Sequence, residues 1–221
     1  GNLLQRVLFQ NPQITFEYKA SHVMSQTQAL LDLFQREGLL TAHFDKAISL
    51  FEQTHVLVRA LPAKDSRPLR ALLSNIDAYD HAVAVTWLCG ILAGALQIES
   101  RNAFVSVGLA GMLHDIGMKD SPLGLGHEDD SHAKRGAEML QQVEGIDENV
   151  VQAVAHHHDR RSQNGISRMA EIVGVSDEFV RRYRKDKLQL TLQEMDREVL
   201  GGFSFAVAEA FKSVFEKAAR T

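Results

Sequence analysis

The residues best suited to chemistry follow an apolar segment in the middle of the chain. From Val105 to Leu113 the side chains are apolar on nearly every face, which predicts a buried central helix. His114 and Asp115 come next, and Gly117 is expected to end the helix, since glycine accepts the left-handed conformation of helix ends. A buried ionisable pair needs a compensating partner. That partner is a metal ion, unless His114 is a core histidine beside a capping aspartate.

The distribution of the other histidines favours a metal. Seven of the ten histidines fall between residues 81 and 158, and periodicity places five separate groups of His or Asp where an inward apolar residue is expected. Imidazole and carboxylate donors without a thiolate indicate Fe, Mn or Zn, and their number exceeds what one ion uses. We therefore expect a centre of two or three divalent ions. The candidate ligands are Asp77, His81, His114, Asp115, His132, His157, His158 and Asp177.

Helical spacing separates the three consecutive histidines of one group. His157 and His158 extend the apolar face of residues 150–154, whereas His156 points away from that face. The sequence therefore predicts that His157 and His158 face inward and that His156 lies outside the set of ligands.

The order and spacing of these residues resemble the HD phosphohydrolase superfamily. The shared elements are the His114-Asp115-Ile116-Gly117 segment, His132 with Gly136 four residues on, the His157-His158-Asp159 run, His81 and Asp177. The resemblance extends over residues 65–215 and is closest to the HD-GYP subgroup, whose members are cyclic-di-GMP phosphodiesterases.

The resemblance implies a role for each candidate ligand. It implies two ligand sets: His81, His114, Asp115 and Asp177 for one ion, and His132, His157 and His158 for the other. Asp115 would bridge the two ions, and Asp77 matches a position where some members have a glutamate that recruits a third. His114 and Asp115 are then the catalytic residues, at a centre where a metal-bridging hydroxide attacks phosphorus in line.

Two departures from the family concern substrate binding. The family has a lysine directly after the His-Asp-Ile-Gly element, where it contacts the substrate phosphate, and here that residue is Met118. The Gly-Tyr-Pro motif that names the subgroup is also missing. The candidate substrate-binding cations are therefore Lys119, Lys185 and Lys187, although the basic run at residues 181–187 is more typical of a solvated surface.

The remaining sequence predicts an all-α protein. We expect an HD-domain helical bundle at residues 66–221 and a mainly helical extension at residues 1–65 that acts as a linker or dimerisation region. A single helix over residues 69–96 would place Asp77 and His81 on one face, a spacing that also suits a structural hydrogen bond. Alternating apolar residues at 14–18 predict a short strand.

Composition bounds the partners and the compartment. The net charge of −4 argues against nucleic acid as a partner, and no apolar run approaches the roughly 20 residues that span a bilayer. The one cysteine, Cys89, fits a reducing compartment, so we expect a cytoplasmic protein without a membrane partner. Because the chain begins with Gly1 rather than methionine, we expect a fragment whose further partners are a second copy or an attached regulatory domain.

These observations lead to one functional hypothesis and two alternatives. The leading hypothesis is a metal-dependent phosphodiesterase acting on cyclic-di-GMP, a related cyclic dinucleotide or another small phosphodiester. The first alternative is a signalling module that binds metal and nucleotide with little or no turnover, which Met118 and the missing Gly-Tyr-Pro motif favour. The second is a nucleotide phosphohydrolase of the wider HD superfamily.

Overall fold

The computed structural model describes residues 9–62, 65–120, 131–160, 166–183 and 187–218. These residues are mostly helical and contain no strand, so the all-α fold class is confirmed. The α-helices are α1 (Phe16–Glu37), α2 (Thr41–Arg59), α3 (Arg67–Asn75), α4 (His81–Ala95), α5 (Arg101–Leu113), α6 (Ser131–Gln141), α7 (Glu148–His156), α8 (Arg168–Arg182), α9 (Leu188–Glu194) and α10 (Phe205–Ala218). Within these ranges no helix is both long enough and apolar enough to cross a membrane.

Several helices begin where the sequence offers a capping side chain. Each cap accepts a hydrogen bond from a backbone N–H of the first turn, an interaction worth about 1 kcal/mol. The caps are Thr15 for α1, Ser100 for α5, Asp147 for α7 and Ser167 for α8. Three of these four helices contain or directly precede residues of the candidate centre, so local sequence fixes where those helices start.

Helices α4 and α5 form the middle of the fold. Every residue of α5 from Phe104 to Leu113 is buried, and so is every residue of α4 from Val83 to Gly90. Helix α4 packs on α5 and α8, and α5 also packs on α2 and α7. Burial on all sides is what a helix without a polar face requires. The predicted central helix is thus confirmed.

The predicted strand at residues 14–18 is wrong. Thr15 is extended, but it serves as the cap of α1, which begins at Phe16. Phe16 is buried and Tyr18 is 58% exposed. An alternation of three apolar residues also fits the first turn of a helix that buries residues 16, 19, 20 and 23, so it was too short to distinguish the two periods.

The predicted helix over residues 69–96 is divided into α3 and α4. A 3-10 turn and two extended residues, Tyr79 and Asp80, separate these helices, and α4 begins at His81. Asp77 lies in the turn and His81 in the following helix. The prediction that they share a helical face is therefore wrong, because the helix is interrupted between them.

Helices α1 and α2 pack on the same core as the later helices. The Tyr79 hydroxyl lies 3.0 Å from the Ser25 hydroxyl of α1. Gln28 of α1 donates to the Asp80 carboxylate at 2.6 Å and accepts from the Asp80 backbone N–H at 3.0 Å. These tertiary contacts hold the interruption before α4, which helical periodicity alone does not reveal. The domain boundary at residue 65 stays a prediction.

Gly117 has a different role from the predicted helix end. Helix α5 ends at Leu113, and Gly117 lies in the next 3-10 turn without a positive φ. A Cβ at this position would overlap the His132 carbonyl oxygen and lie 2.5 Å from the Gly136 backbone nitrogen. The close approach of α6 to the turn therefore requires glycine. This approach brings His132 to Asp115.

We expect Gly117→Ala to lower the free energy of unfolding by about 1–3 kcal/mol, the usual range for overpacking, because α6 or the turn must move. Gly201→Ala is the matched control, since no atom lies within 4 Å of a Cβ built there and the φ is not positive. It should change stability by less than about 0.5 kcal/mol. Urea unfolding followed by circular dichroism measures both, and equal stabilities would contradict the close approach.

Candidate metal centre

The ends of several helices converge on one region of the interior. The converging side chains are His81 at the start of α4, His114 and Asp115 after α5, His132 in the first turn of α6, His157 and His158 after α7, and Asp177 within α8. His114 and His157 are fully buried, while Asp177 is 3% exposed. Polar groups at this depth need partners, and here they are one another's partners.

His81, His114 and Asp115 form the first group, in which one ligand atom of each lies within 4.8 Å of the others. His114 Nε2 is 3.2 Å from Asp115 Oδ2. Asp177 borders the group, because its Oδ1 is 3.0 Å from His81 Nε2 and 3.9 Å from His114 Nε2. Its other oxygen accepts a 2.6 Å hydrogen bond from Arg181. The structure thus brings together the four side chains assigned to one ion.

His132, His157 and His158 form the second group, again with one ligand atom of each within 4.8 Å of the others. The Nε2 atoms of His132 and His158 are 3.1 Å apart. The ring centroids of His157 and His158 are separated by 4.0 Å. The two Nε2 atoms that are 3.1 Å apart need a proton or a metal ion between their lone pairs. These are the three side chains assigned to the other ion.

Asp115 connects the two groups. Its Oδ2 faces His114, and its Oδ1 lies 3.2 Å from Nε2 of His132 in the second group. The rings of His114 and His157 also meet, with centroids 5.2 Å apart. The two groups are therefore one continuous cluster, in which Asp115 contacts a histidine of each group.

Backbone carbonyls orient the two most buried rings. Nδ1 of His114 lies 2.9 Å from the Gly111 oxygen, and Nδ1 of His157 lies 2.7 Å from the Val154 oxygen. A carbonyl only accepts, so Nδ1 carries the hydrogen and Nε2 of each neutral ring carries the lone pair. Hydrogen-bonded Nδ1 atoms of this kind are typical of histidines that bind metals through Nε2.

The donor atoms fit divalent metal ions. Among the described residues, Nε2 of His157 is buried without a hydrogen-bond partner, and Nε2 of His114 has the Asp115 carboxylate 3.2 Å away but no hydrogen bond of good geometry. Leaving such a nitrogen unsatisfied costs about 1–3 kcal/mol, whereas a metal ion would accept the lone pair. Imidazole and carboxylate donors suit Fe, Mn and Zn. The cluster can therefore hold a metal in each group, with Asp115 between them.

The first group holds a proton when no metal is bound. Burial opposes a charge on His114, but the Asp115 and Asp177 carboxylates outweigh it and raise the pKa of the ring to about 9. Burial also opposes a charge on Asp115, yet the neighbouring imidazoles, His114 foremost, hold the pKa of that carboxyl well below its usual range. At neutral pH a protonated His114 thus balances part of the carboxylate charge.

The deepest histidine of the second group behaves differently. Burial lowers the pKa of His157 to about 3, and the nearby His114 and His158 add to this effect. Burial would raise the pKa of Asp177, but His81, His114 and Arg181 hold that pKa well below its usual range. At neutral pH His157 is neutral and Asp177 is charged. Both are then in the protonation state that a metal ion requires.

Two candidate residues can be assigned from their exposure. His156 is exposed and its Nδ1 lies 2.7 Å from the Asp159 carboxylate, so the histidine triplet has the orientation that the spacing predicted. Asp77 is exposed in its 3-10 turn and belongs to neither metal-binding group of the described residues. Its predicted role as a ligand of a third ion stays a prediction.

The substrate-binding role of the three candidate lysines stays a prediction. Lys187 is exposed at the start of α9, and Lys185 lies outside the described residues. The backbone of Lys119 belongs to the 3-10 turn after Asp115, but its side chain lies outside the described part of the chain. Met118 is half-buried in the same turn, and its N–H donates to the Asp115 carbonyl at 2.9 Å.

Two arginines that support the cluster were not identified from the sequence. Arg160 donates to the carbonyl of His158 at 2.8 Å, and Arg135 donates to the carbonyl of Gly117 at 3.2 Å. Arg160 follows the histidine triplet within four residues, and a cation just beyond a helix C-terminus is well placed to bind its free carbonyls. The position of Arg160 just beyond the end of α7 was the feature of the sequence from which its role could have been predicted.

A family model described as the HD domain matches this chain. The match covers residues 78–197, which is more than half of the chain. It includes every residue of the two groups together with Asp177, and it begins just after Asp77.

Two kinds of curated protein are similar to the chain. Ribonuclease Y of Geobacter sulfurreducens is 34% identical over 102 residues, which are 46% of this chain and 17% of that protein. A cyclic di-GMP phosphodiesterase of Pseudomonas aeruginosa is 31% identical over 144 residues, which are 58% of this chain and 33% of that protein. The chain therefore spans only a minor part of the length of these relatives.

A solved structure shares the fold. An HDG"Y"P protein from Bdellovibrio bacteriovorus superposes with a TM-score of 0.74 and 15% sequence identity, covering 96% of this chain and 76% of that one. Because 96% of the chain is covered, nearly the whole arrangement of helices has a counterpart in that structure.

The orientation of the histidine triplet leads to a test by metal content. We expect His157→Ala and His158→Ala each to reduce the bound metal from about two ions per chain to about one, because each removes a donor of the second group. His156→Ala is the control and should leave the content nearly unchanged. Elemental analysis after anaerobic reconstitution with Fe(II) or Mn(II) measures all three. A larger loss for His156→Ala would show that the assigned orientation is wrong.

The raised pKa of His114 predicts a pH-dependent metal affinity. Below about pH 9 a metal ion must displace the proton from this ring, so affinity at the first group should rise by about tenfold per pH unit between pH 7 and 9. His157, with a pKa of about 3, adds no such dependence to the second group. Calorimetry in buffers of different ionisation enthalpy would count the released protons. Proton release that is the same at pH 7 and at pH 9.5 would contradict the assignment.

Proposed function

The chain belongs to the HD domain family, and on that basis we propose that it is a metal-dependent phosphodiesterase. The observation that carries the proposal is the continuous cluster of two metal-binding groups joined by Asp115. Divalent ions bound there would lower the pKa of a water molecule and stabilise charge on the phosphoryl oxygens. The family and the hydrolases among its relatives support this reaction class.

The residues of the cluster have different roles, which follow from their positions. The carbonyls behind His114 and His157 aim both Nε2 atoms at the interior, so these rings bind without reorientation. Asp115 is less buried than His114 and His132, with 23% of its side chain exposed, so the residue that joins the groups is open to an incoming phosphodiester. Asp177 is fixed by His81 and Arg181 and keeps a negative charge in the first group.

The substrate we propose first is cyclic-di-GMP or a related cyclic dinucleotide. The similarity to a cyclic di-GMP phosphodiesterase, over 58% of this chain, supports that choice. RNA is the second candidate, favoured by the similarity to ribonuclease Y. Both substrates present the same phosphodiester to the centre. The net charge of −4 favours the small substrate, because a basic surface for a polyanion is not evident in the composition.

Met118 bears on the rate rather than on the assembly of the centre. Its N–H donates to the Asp115 carbonyl, a backbone contact that a substitution of the side chain keeps, and a thioether fits the half-buried turn. A cation at this position would stabilise charge that grows on the phosphoryl oxygens in the transition state. Losing one such contact typically costs about 3 kcal/mol, or roughly a hundredfold in rate.

We therefore expect slow, metal-dependent phosphodiester hydrolysis that increases at least about tenfold in Met118→Lys. Protein reconstituted with Mn(II) or Fe(II) is assayed against cyclic-di-GMP, a single-stranded RNA oligonucleotide and bis(p-nitrophenyl) phosphate at matched metal content. Asp115→Asn should abolish turnover because it removes the charge between the groups. Asp45→Asn, at an exposed position in α2, is the matched control and should leave turnover unchanged.

The pattern of substrates separates the candidate functions. Hydrolysis of cyclic-di-GMP in preference to RNA supports the first proposal, and the reverse order supports the second. If neither the wild type nor Met118→Lys hydrolyses any of the three compounds while metal remains bound, the phosphodiesterase proposal is wrong and a metal-binding signalling module replaces it.

A further inference from the structure

We propose that Arg160 is a positioning residue that fixes the two metal-binding groups relative to each other. This inference rests on the metal centre of the proposed function. Arg160 contacts the backbone of the second group on one side and helix α8, which carries Asp177, on the other. Its side chain is not among the candidate ligands. Arg160 acts through the ligands, because it fixes the backbone from which the side chains of His157 and His158 project.

The first set of contacts is to the backbone that delivers the histidine pair. Helix α7 ends at His156, and Nη1 of Arg160 then lies 3.4 Å, 2.8 Å and 3.1 Å from the carbonyl oxygens of His157, His158 and Asp159. Three successive carbonyls at a helix C-terminus have no helical donors and carry the negative end of the helix dipole. One guanidinium nitrogen therefore holds the peptide units from which both imidazoles project.

The second contact reaches helix α8. Nη2 of Arg160 donates to Glu178 Oε1 at 2.6 Å, and Glu178 directly follows Asp177. The Glu178 carboxylate is 14% exposed, and its other oxygen accepts a hydrogen bond from the partly exposed Arg182 at 3.1 Å. The guanidinium thus joins the turn that carries His157 and His158 to the residue beside a donor of the first group.

The surroundings leave the Arg160 side chain little freedom. Its guanidinium carbon lies 4.8 Å from the centroid of the Phe203 ring, a cation–π distance, and its Cδ is close to Gly202. Helix α8 also approaches the same turn directly, because a Cβ at Gly174 would overlap the His157 carbonyl oxygen. The guanidinium is therefore fixed by an aromatic face, a carboxylate and three carbonyls together, which suits the planar fork of arginine rather than lysine.

The inference is tested on the full chain by the affinity for Mn(II) and by the magnetic coupling of the bound ions. Wild type should bind two ions as an exchange-coupled pair in electron paramagnetic resonance. Arg160→Met keeps much of the aliphatic stem but loses the fork. We expect one ion to bind as in the wild type and the other about 10- to 100-fold more weakly, the usual effect of losing a residue that orients a ligand, with the coupling lost or changed.

Arg182→Met is the matched control, because Arg182 also pairs with Glu178 but does not donate to the carbonyls at the end of α7. It should stay within about twofold of the wild type, as expected for a partly exposed ion pair. An equal loss in both variants would overturn the inference, since the effect would then belong to Glu178 in general. Unchanged binding and coupling in Arg160→Met would overturn it as well.

A second variant covers the case in which Arg160→Met does not fold. Glu178→Gln keeps the shape of the side chain but removes the charge that anchors the guanidinium, and it should weaken the second ion at least about threefold at an unchanged melting temperature. Unchanged binding in Glu178→Gln would overturn the inference. If the wild type bound no Mn(II), the proposed metal centre would fail too, whereas a wild type that binds a coupled pair isolates the result to Arg160.

Discussion

The cluster depends on two buried imidazole nitrogens, Nε2 of His114 and Nε2 of His157, which face the shared interior; the first carries a proton at neutral pH and the second a lone pair. Nε2 of His114 and Nε2 of His157 are buried without hydrogen-bond partners among the described residues, and each is aimed inward by a backbone carbonyl behind the ring. A folded chain tolerates such groups only where something else satisfies them. Helix ends, rather than helix faces, meet at this point because the residues beyond a helix end can turn a ring toward a shared centre.

Charge balance explains why the metal-free cluster can fold at all. The carboxylates of Asp115 and Asp177 would repel each other in the interior, and the proton that His114 retains up to about pH 9 offsets part of that charge. Arg181, at the protein surface, pairs with Asp177 and offsets a further part of the negative charge. A proton and an arginine are weaker substitutes for the positive charge that divalent ions would bring. Folding and metal binding are therefore linked through the same carboxylates.

Sequence patterns predicted what depends on local periodicity and failed where tertiary contacts decide. Helical spacing predicted the inward face of His157 correctly, since α7 is regular up to the histidines. The same reasoning misplaced Asp77, because contacts from α1 interrupt the helix before His81. It gave Gly117 the wrong role, because the approach of α6 is set by packing between elements distant in sequence. Arg160 was overlooked because its partners are backbone carbonyls, to which only its position just beyond the C-terminus of α7 pointed.

The geometry of the centre also depends on residues outside the segment that defines the family. Gln28 makes two hydrogen bonds to Asp80, the residue immediately before His81, so α1 sets the point from which one imidazole enters the first group. Phe203 and Gly202 confine Arg160 from the other end of the chain. The matched residues 78–197 contain both groups and Asp177, but the contacts that orient them extend to both sides. A displacement of about 1 Å at a metal ligand or a reacting group changes rates strongly. The flanking helices therefore help to determine the geometry of the candidate centre.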